Sequence, residues 1–337
     1  MHRYGLCVLS ALVFGAFSPD HAHADMLDDW DGWTFNMTLE NDMFGSDTDR
    51  HYTHGTRFSL AAPEGEVADW LRDAAGYFPF FSDEGTLRAS YALGQNMYSP
   101  ADITLTDPAD MDRPYGGWLY GSFGLVSDME ERVDTFELTL GMVGPASLAE
   151  PTQKFVHRVV GSPQPMGWDH QLKNEPGLVV TYERKWRRFI NVETGLFDMD
   201  LDTSPYAGVS LGNIFTHAEA GTVFRFGQDL EKDRGGPPRI RPSLPGSDYY
   251  TSTDGFVWYL FAGGGARAVA RNIFLDGNTL ADSYSVDKKP FVFDIQAGLA
   301  MRYHDVRVAF TQIIRTKEFK KQQSPDRYGA ITVSYQF

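Results

Sequence analysis

Apolar and polar positions alternate along most of this chain. Between Trp33 and Asp42, the apolar Phe35, Met37 and Leu39 alternate with Thr34, Asn36, Thr38 and Glu40. Thr56, Phe58 and Leu60 alternate with Gly55, Arg57 and Ser59. Phe136, Leu138, Leu140 and Met142 alternate with Glu137, Thr139 and Gly141, and Ile331, Val333, Tyr335 and Phe337 with Ala330, Thr332, Ser334 and Gln336. A period of two means strands with one apolar and one polar face. A soluble sandwich shows the same period. Segments of about 10 residues, however, match tilted strands that cross a membrane, with lipid outside and a polar lumen.

Strand-like segments recur at 33–41, 52–61, 86–96, 116–127, 133–143, 177–186, 189–197, 206–215, 219–227, 255–271, 289–303, 305–316 and 327–337. A single-chain bacterial barrel needs an even number. Joining 189–197 to 206–215, with a bend at Thr203-Ser204-Pro205 where proline interrupts the ladder, predicts a transmembrane antiparallel β-barrel of twelve strands. Loops 42–52, 97–115 and 144–176 then lie at one rim, and 62–85 and 228–254 become long connections at the opposite end. Within the third rim loop, "EPTQKFVHRVVG" reads as a short helix. Phe155, Val156, Val159 and Val160 fall on one side and Gly161 is its stop.

The first residues stand apart from this pattern. Arg3, the apolar run Leu6 to Phe17 and Ala22-His23-Ala24 predict a secretory signal peptide over 1–24, with the barrel domain over 25–337. Cys7, the single cysteine, lies in that leader, so the mature chain has no thiol chemistry. No later run is long and apolar enough for a membrane helix. Net charge is −15, which excludes a nucleic-acid partner and suits a hard cation. The terminal Phe337, on the apolar face of the last strand, resembles the end of bacterial outer-membrane barrels.

Candidate chemistry gathers at one hairpin, "ENDMFGSDTDRHYTHG" at 40–55. Strand pairing brings Glu40, Asn41 and Asp42 close to Thr53. Counting by two puts Glu40, Asp42 and Thr53 on the inward face and Asn41 outward. Carboxylate and amide oxygens of this kind ligate Ca²⁺, though a polar loop capped by Asn and Asp has the same composition. His157, in the loop helix, has the side chain of a general base or of a packed helix residue. Gly208-Val209-Ser210-Leu211-Gly212 matches the nucleophile-elbow pattern, but no helix follows, so the motif is a decoy. His51 and His54 point to opposite strand faces and cannot chelate together.

Taken together, "ENDMF" at 40–44, "RHYTHGTRFSL" at 50–60, "GQNMYSP" at 94–100, "GMVGPAS" at 141–147, "HRVVG" at 157–161 and "GWDHQLKNEP" at 167–176 resemble one family. It is the LpxR-type lipid A 3′-O-deacylases of Gram-negative outer membranes. The resemblance implies a twelve-stranded barrel with its active site near the outer rim. It implies a carboxylic ester hydrolase that uses Ca²⁺ and releases the 3′-linked acyloxyacyl group from lipid A in the outer leaflet. By motif, the family's Asn-Asp pair falls on Asn41 and Asp42, its hydroxyl residue on Thr53 and its His on His157. The family's second-loop Lys has no counterpart, since residues 97–115 contain only one cation, Arg113. Arg113 is the candidate for contact with a lipid A phosphate. Two other classes fit a barrel: an outer-membrane phospholipase with a Ser–His–Asn triad, and a non-catalytic porin.

Overall fold

A computed structural model describes residues 30–44, 51–77, 81, 84–107, 112–196 and 198–337. The expected leader, 1–24, lies outside them. Thirteen strand segments follow one another in a single antiparallel sheet. They are β1 (Thr34–Asn41), β2 (His51–Ala61), β3 (Thr86–Ser99), β4 (Gly116–Asp128), β5 (Arg132–Val143), β6 (Glu175–Trp186), β7 (Ile190–Leu196), β8 (Met199–Gly212), β9 (Phe215–Gln228), β10 (Phe256–Asn272), β11 (Phe291–Tyr303), β12 (Val306–Arg315) and β13 (Asp326–Gln336). β1 pairs with both β2 and β13, and β6 pairs with β8 as well as β5. The sheet therefore closes on itself.

The segments β6 and β7 are one wall strand. Both pair with β8, Lys185 opposite Tyr206 and Ile190 opposite Thr203. The wall thus has twelve strands. The predicted count holds, but the predicted junction does not. Residues 189–197 continue the preceding strand, and β8 runs unbroken through Thr203-Ser204-Pro205. The interruption sits instead at residues 187–189, opposite Pro205. There the missing N–H of proline leaves no ladder bond to lose.

Alternation sets the two faces. Leu93 of β3, Leu140 of β5, Leu178 of β6 and Phe293 of β11 are exposed on the outside. Asn36, Thr38 and Glu40 of β1 are buried inside. No described helix could cross a membrane; the strands make the crossing. Both ends of the described chain meet at the base of the barrel. Gly32 donates to the carbonyl of Phe337 at 3.0 Å, Phe337 donates to the carbonyl of Trp33 at 2.9 Å, and Trp30, Trp33, Tyr335 and Phe337 cluster as an aromatic belt.

The connection after β2 carries a short helix, α1 (Asp69–Ala75), at the base. The connection after β9, expected as a loop at the same end, enters the lumen as a plug. Its driving force is charge pairing. Arg57 of β2 binds Asp248 at 2.8 Å, Arg241 binds Glu183 of β6 at 2.8 Å, and Arg239 binds Glu40 of β1 at 2.7 Å. Asp233 accepts from Tyr259 at 2.6 Å and from Arg307 at 3.2 Å, with Arg225 3.9 Å away. Backbone carbonyls complete the set: Lys185 donates to Gly246 and Arg315 to Pro242. The polar inner face of the wall thus finds partners in the chain itself, and the lumen is no open channel.

Breaking a buried ion pair leaves an uncompensated charge, which costs about 3–5 kcal/mol. Asp233→Ala removes the carboxylate partner of the buried Arg307, while Arg225 keeps Asp202, and should destabilise the barrel by about that amount. Urea unfolding should show a lower midpoint with an unchanged slope. An unchanged midpoint would mean that the plug contributes little to holding the barrel.

Candidate active site

The rim hairpin builds the first half of the site. β1 ends at Asn41, and Asp42–Phe44 turn once as a 3-10 helix. The Asn41 side chain ties this turn to the next strand: its Oδ1 accepts from the Met43 N–H at 2.8 Å, and its Nδ2 donates to the Thr53 carbonyl at 3.0 Å. Asp42, adjacent in the chain, is buried. Residues 45–50, with Asp47-Thr48-Asp49, lie outside the described part.

Thr53 does not face inward as counting by two predicts. Tyr52 pairs with Tyr98 and His54 with Met97, so Thr53 is the extra residue of a β-bulge. A bulge puts two successive side chains on one side and re-aims the strand. Tyr52 and Tyr98 join the aromatic cluster inside the barrel mouth. Thr53 turns to the outer face, where its Oγ1 lies 2.5 Å from Oγ of Ser99. His54 is on that face too, 3.5 Å from the Asn41 amide and 2.6 Å from Thr56. Asn41 and Thr53 are therefore brought together on the outside of the wall.

Glu40 is on the other side. Its Oε1 accepts from Arg239 at 2.7 Å and from the Ile240 N–H at 3.3 Å, at the tip of the plug. The expectation that Glu40 ligates the metal is corrected here: the wall separates it from Asn41, and its charge is neutralised by arginine.

The second half of the site comes from the third rim loop. The helix α2 (Ala149–Val160) ends where expected, at Gly161, whose positive φ of 74° suits glycine. Ala149, Gln153 and His157, four apart, form its buried side. Its root rests on the outer face of the wall: Gln95 of β3 donates to the Ser147 carbonyl at 2.7 Å, and Ser147 and Ala149 leave no room for a side chain on Gly117 of β4. Met97, Ile103, Tyr115, Ala149 and Trp168 pack together there. Trp168 donates to Gln153 at 2.7 Å, one turn before His157. A continuous series of contacts thus runs from Thr53 through Ser99, β3 and Trp168 to the His157 face of α2.

The His157 ring has a defined tautomer. Its Nδ1 lies 2.5 Å from the carbonyl oxygen of Pro163. A carbonyl only accepts, so in the neutral ring it is Nδ1 that carries the proton. That is the form a general base needs.

Two other side chains stiffen the rim. His51, itself in the left-handed region at φ 64°, lies 2.6 Å from Asp326 and 3.7 Å from Asp112. It joins the hairpin to the loops before β4 and β13. Burial pushes the Asp112 carboxyl up, but hydrogen bonds from His51 and from the Ala101 and Arg113 backbone outweigh it and leave the group below its ordinary value. Arg113 is fully buried, stacked 4.8 Å over the Tyr98 ring and 3.4 Å from Glu318. It is a structural cation of the mouth rather than an exposed contact for a headgroup. The decoy behaves as expected: Ser210 lies inside β8, opposite His217, and its hydroxyl pairs with Thr181 at 2.9 Å.

The donor types at the hairpin fit a hard cation. Asn41 offers an amide oxygen beside Thr53 and Ser99, and Asp42, next in the chain, a buried carboxylate. Among the described residues no group of three or more His, Cys, Asp or Glu could form a metal cage. One carboxylate among neutral oxygens suits a weak Ca²⁺ site of the extracellular kind. Sequence reasoning missed Ser99, Gln153 and Trp168. The first had a signal, since it lies in a strand tip beside Thr53; the other two had none.

The family model of "Outer membrane protein LpxR" matches residues 6–337. The solved structure of LpxR from Salmonella typhimurium is similar to this chain, with a TM-score of 0.74 and 19% identity over 90% of this chain and 100% of that one. The β domain of the Bordetella autotransporter BrkA is far less similar, with a TM-score of 0.41 and 10% identity over 91% of this chain and 99% of that one. No curated protein matches. The barrel is that of an outer-membrane protein. With the family model spanning nearly all of its length, this chain belongs to the LpxR family.

Proposed function

We propose that this chain is a Ca²⁺-dependent lipid A 3′-O-deacylase. It hydrolyses the ester that links the 3′-acyloxyacyl group to lipid A, at the outer face of the barrel rim. The observation that carries this reading is His157. It is buried on the wall side of an outer-loop helix, and its Nδ1 meets the Pro163 carbonyl, which in the neutral ring makes Nε2 the basic nitrogen.

In the first step Nε2 of His157 takes a proton from a water molecule as the water oxygen attacks the ester carbonyl carbon. As the carbon–oxygen bond to the sugar breaks, His157 returns that proton to the leaving 3′ oxygen. The products are the sugar hydroxyl and a free acyloxyacyl fatty acid. Asn41 and Asp42 would hold the calcium ion, which when bound supplies electrostatic stabilisation to the carbonyl oxygen as charge develops on it. Thr53, locked to Ser99, orients the hairpin oxygens. Lipid A reaches such a rim by lateral diffusion, with its chains still in the leaflet. The plugged lumen disfavours the porin reading, and the placement of Ser210 within the wall disfavours a serine hydrolase.

The test is release of acyloxyacyl fatty acid from lipid A by the purified, refolded protein. His157→Ala should lower kcat by about 10²–10⁴-fold with the barrel still folded. Ser210→Ala should leave the rate unchanged; its loss would return the nucleophile to the lumen. Chelation should abolish release, and added Ca²⁺ should restore it with half-effect on the order of 0.1–1 mM, as for extracellular sites. Full activity in excess chelator would remove the metal from the account.

A further inference from the structure

The helix α2 is amphipathic in the opposite sense to a helix of a soluble protein. Its buried side carries Gln153 and His157. Its apolar side chains face away from the wall: Phe155 is 60% exposed, Val159 56% and Val156 40%. Leu148 at its start and Met166 just beyond it are exposed as well. In water such a helix turns its apolar stripe inward. Here the stripe has no protein against it among the described residues.

The helix is also placed beside the lipid-facing wall. Its root covers Met97 and Gly117 on the outer face. Four residues further down β3, Leu93 lies in register with Gly121, Leu140 and Leu178 across four strands. That row is about 13 Å away along the strand, less when tilt is counted, and its three leucines are exposed. The root of α2 therefore lies on the same outer face as the apolar band of the barrel. Arg158 is exposed along one flank of the stripe, and Lys154, half-buried there, pairs with Glu150 at 2.5 Å. An apolar stripe bordered by cations is the pattern of a helix lying at a membrane interface.

We propose that α2 is an interfacial helix. Phe155, Val156 and Val159 bed into the acyl chains of the outer leaflet, and Arg158 stays at headgroup level. The side bearing His157 then faces the wall. The inference rests on the outer-membrane location and the geometry of the helix, and stands whether or not the chain hydrolyses lipid A.

Cys7 is the only cysteine, so a Cys7→Ser background allows clean labelling. Phe155→Cys, carrying an environment-sensitive fluorophore, is reconstituted in phosphatidylcholine vesicles. Lys320→Cys, on the rim loop before β13 and 66% exposed, is the control. The Phe155 probe should be blue-shifted, quenched by spin labels on the lipid acyl chains and shielded from aqueous iodide. The Lys320 probe should show the reverse. Val159→Cys, labelled alone, repeats the reading if the first variant fails to fold. A Phe155 probe that behaves like the Lys320 probe overturns the proposal. A blue shift that vanishes on dilution of protein in lipid also overturns it, because a second copy would then cover the stripe. A buried probe in a chain that leaves lipid A intact would refute the hydrolase reading and keep this one.

Discussion

Every backbone N–H and C=O of a strand in lipid needs a partner within the wall, because the hydrocarbon offers none. That requirement closes the sheet: β1 is bonded on both sides, and the broken strand formed by β6 and β7 is carried across its gap by β8. Closure creates an inside and an outside of opposite character. The outside must be apolar over the membrane, so a polar site aimed at a lipid has one place to be, the rim. The bulge at Thr53 and the turn at Asn41 are there because only there can polar side chains face outward. The long rim loop rests beside them on the outer face of β3 and β4 and carries His157.

The inside has the complementary problem. The inner faces carry Glu40, Asp202, Glu183, Arg225 and Arg307, and no lipid or bulk solvent to satisfy them. The plug answers with residues of opposite charge and with carbonyl oxygens. A buried pair of this kind is weak evidence for stability when intact but costly to break, which makes it a device for fixing position. Arg239 shows the consequence. By holding Glu40 from within, it anchors the strand end whose next residue, Asn41, works outside.

Much of this was legible in the sequence, for reasons of periodicity. Alternation revealed the strands and the outward face of Asn41, and the rule of an even strand number turned thirteen segments into a barrel of twelve. The short helix within 150–161 and its stop at Gly161 followed from apolar spacing and a glycine. What was not legible depends on partners distant in the chain. Nothing in "HYTHG" announces a bulge, because a bulge is a relation between two strands. The base connection after β9 read as a loop because its arginines find their carboxylates only once the barrel has closed. Pro205 was read as the bend joining two segments, but β8 runs unbroken through it and the break lies in the neighbouring strand. Finally, apolar spacing put Phe155, Val156 and Val159 on one side of α2, but which side meets the wall depends on contacts such as Gln153 with Trp168, distant in the chain.

The account rests on one claim, that His157 and the hairpin oxygens act together on lipid A at the outer face of the rim. Mass spectrometry of lipid A from cells expressing the chain, against cells expressing His157→Ala at the same level in the outer membrane, tests it most directly. Lipid A lacking the 3′-acyloxyacyl mass in the first and intact in the second is the predicted result. An identical, unmodified profile in both, with the folded barrel present, would contradict the account.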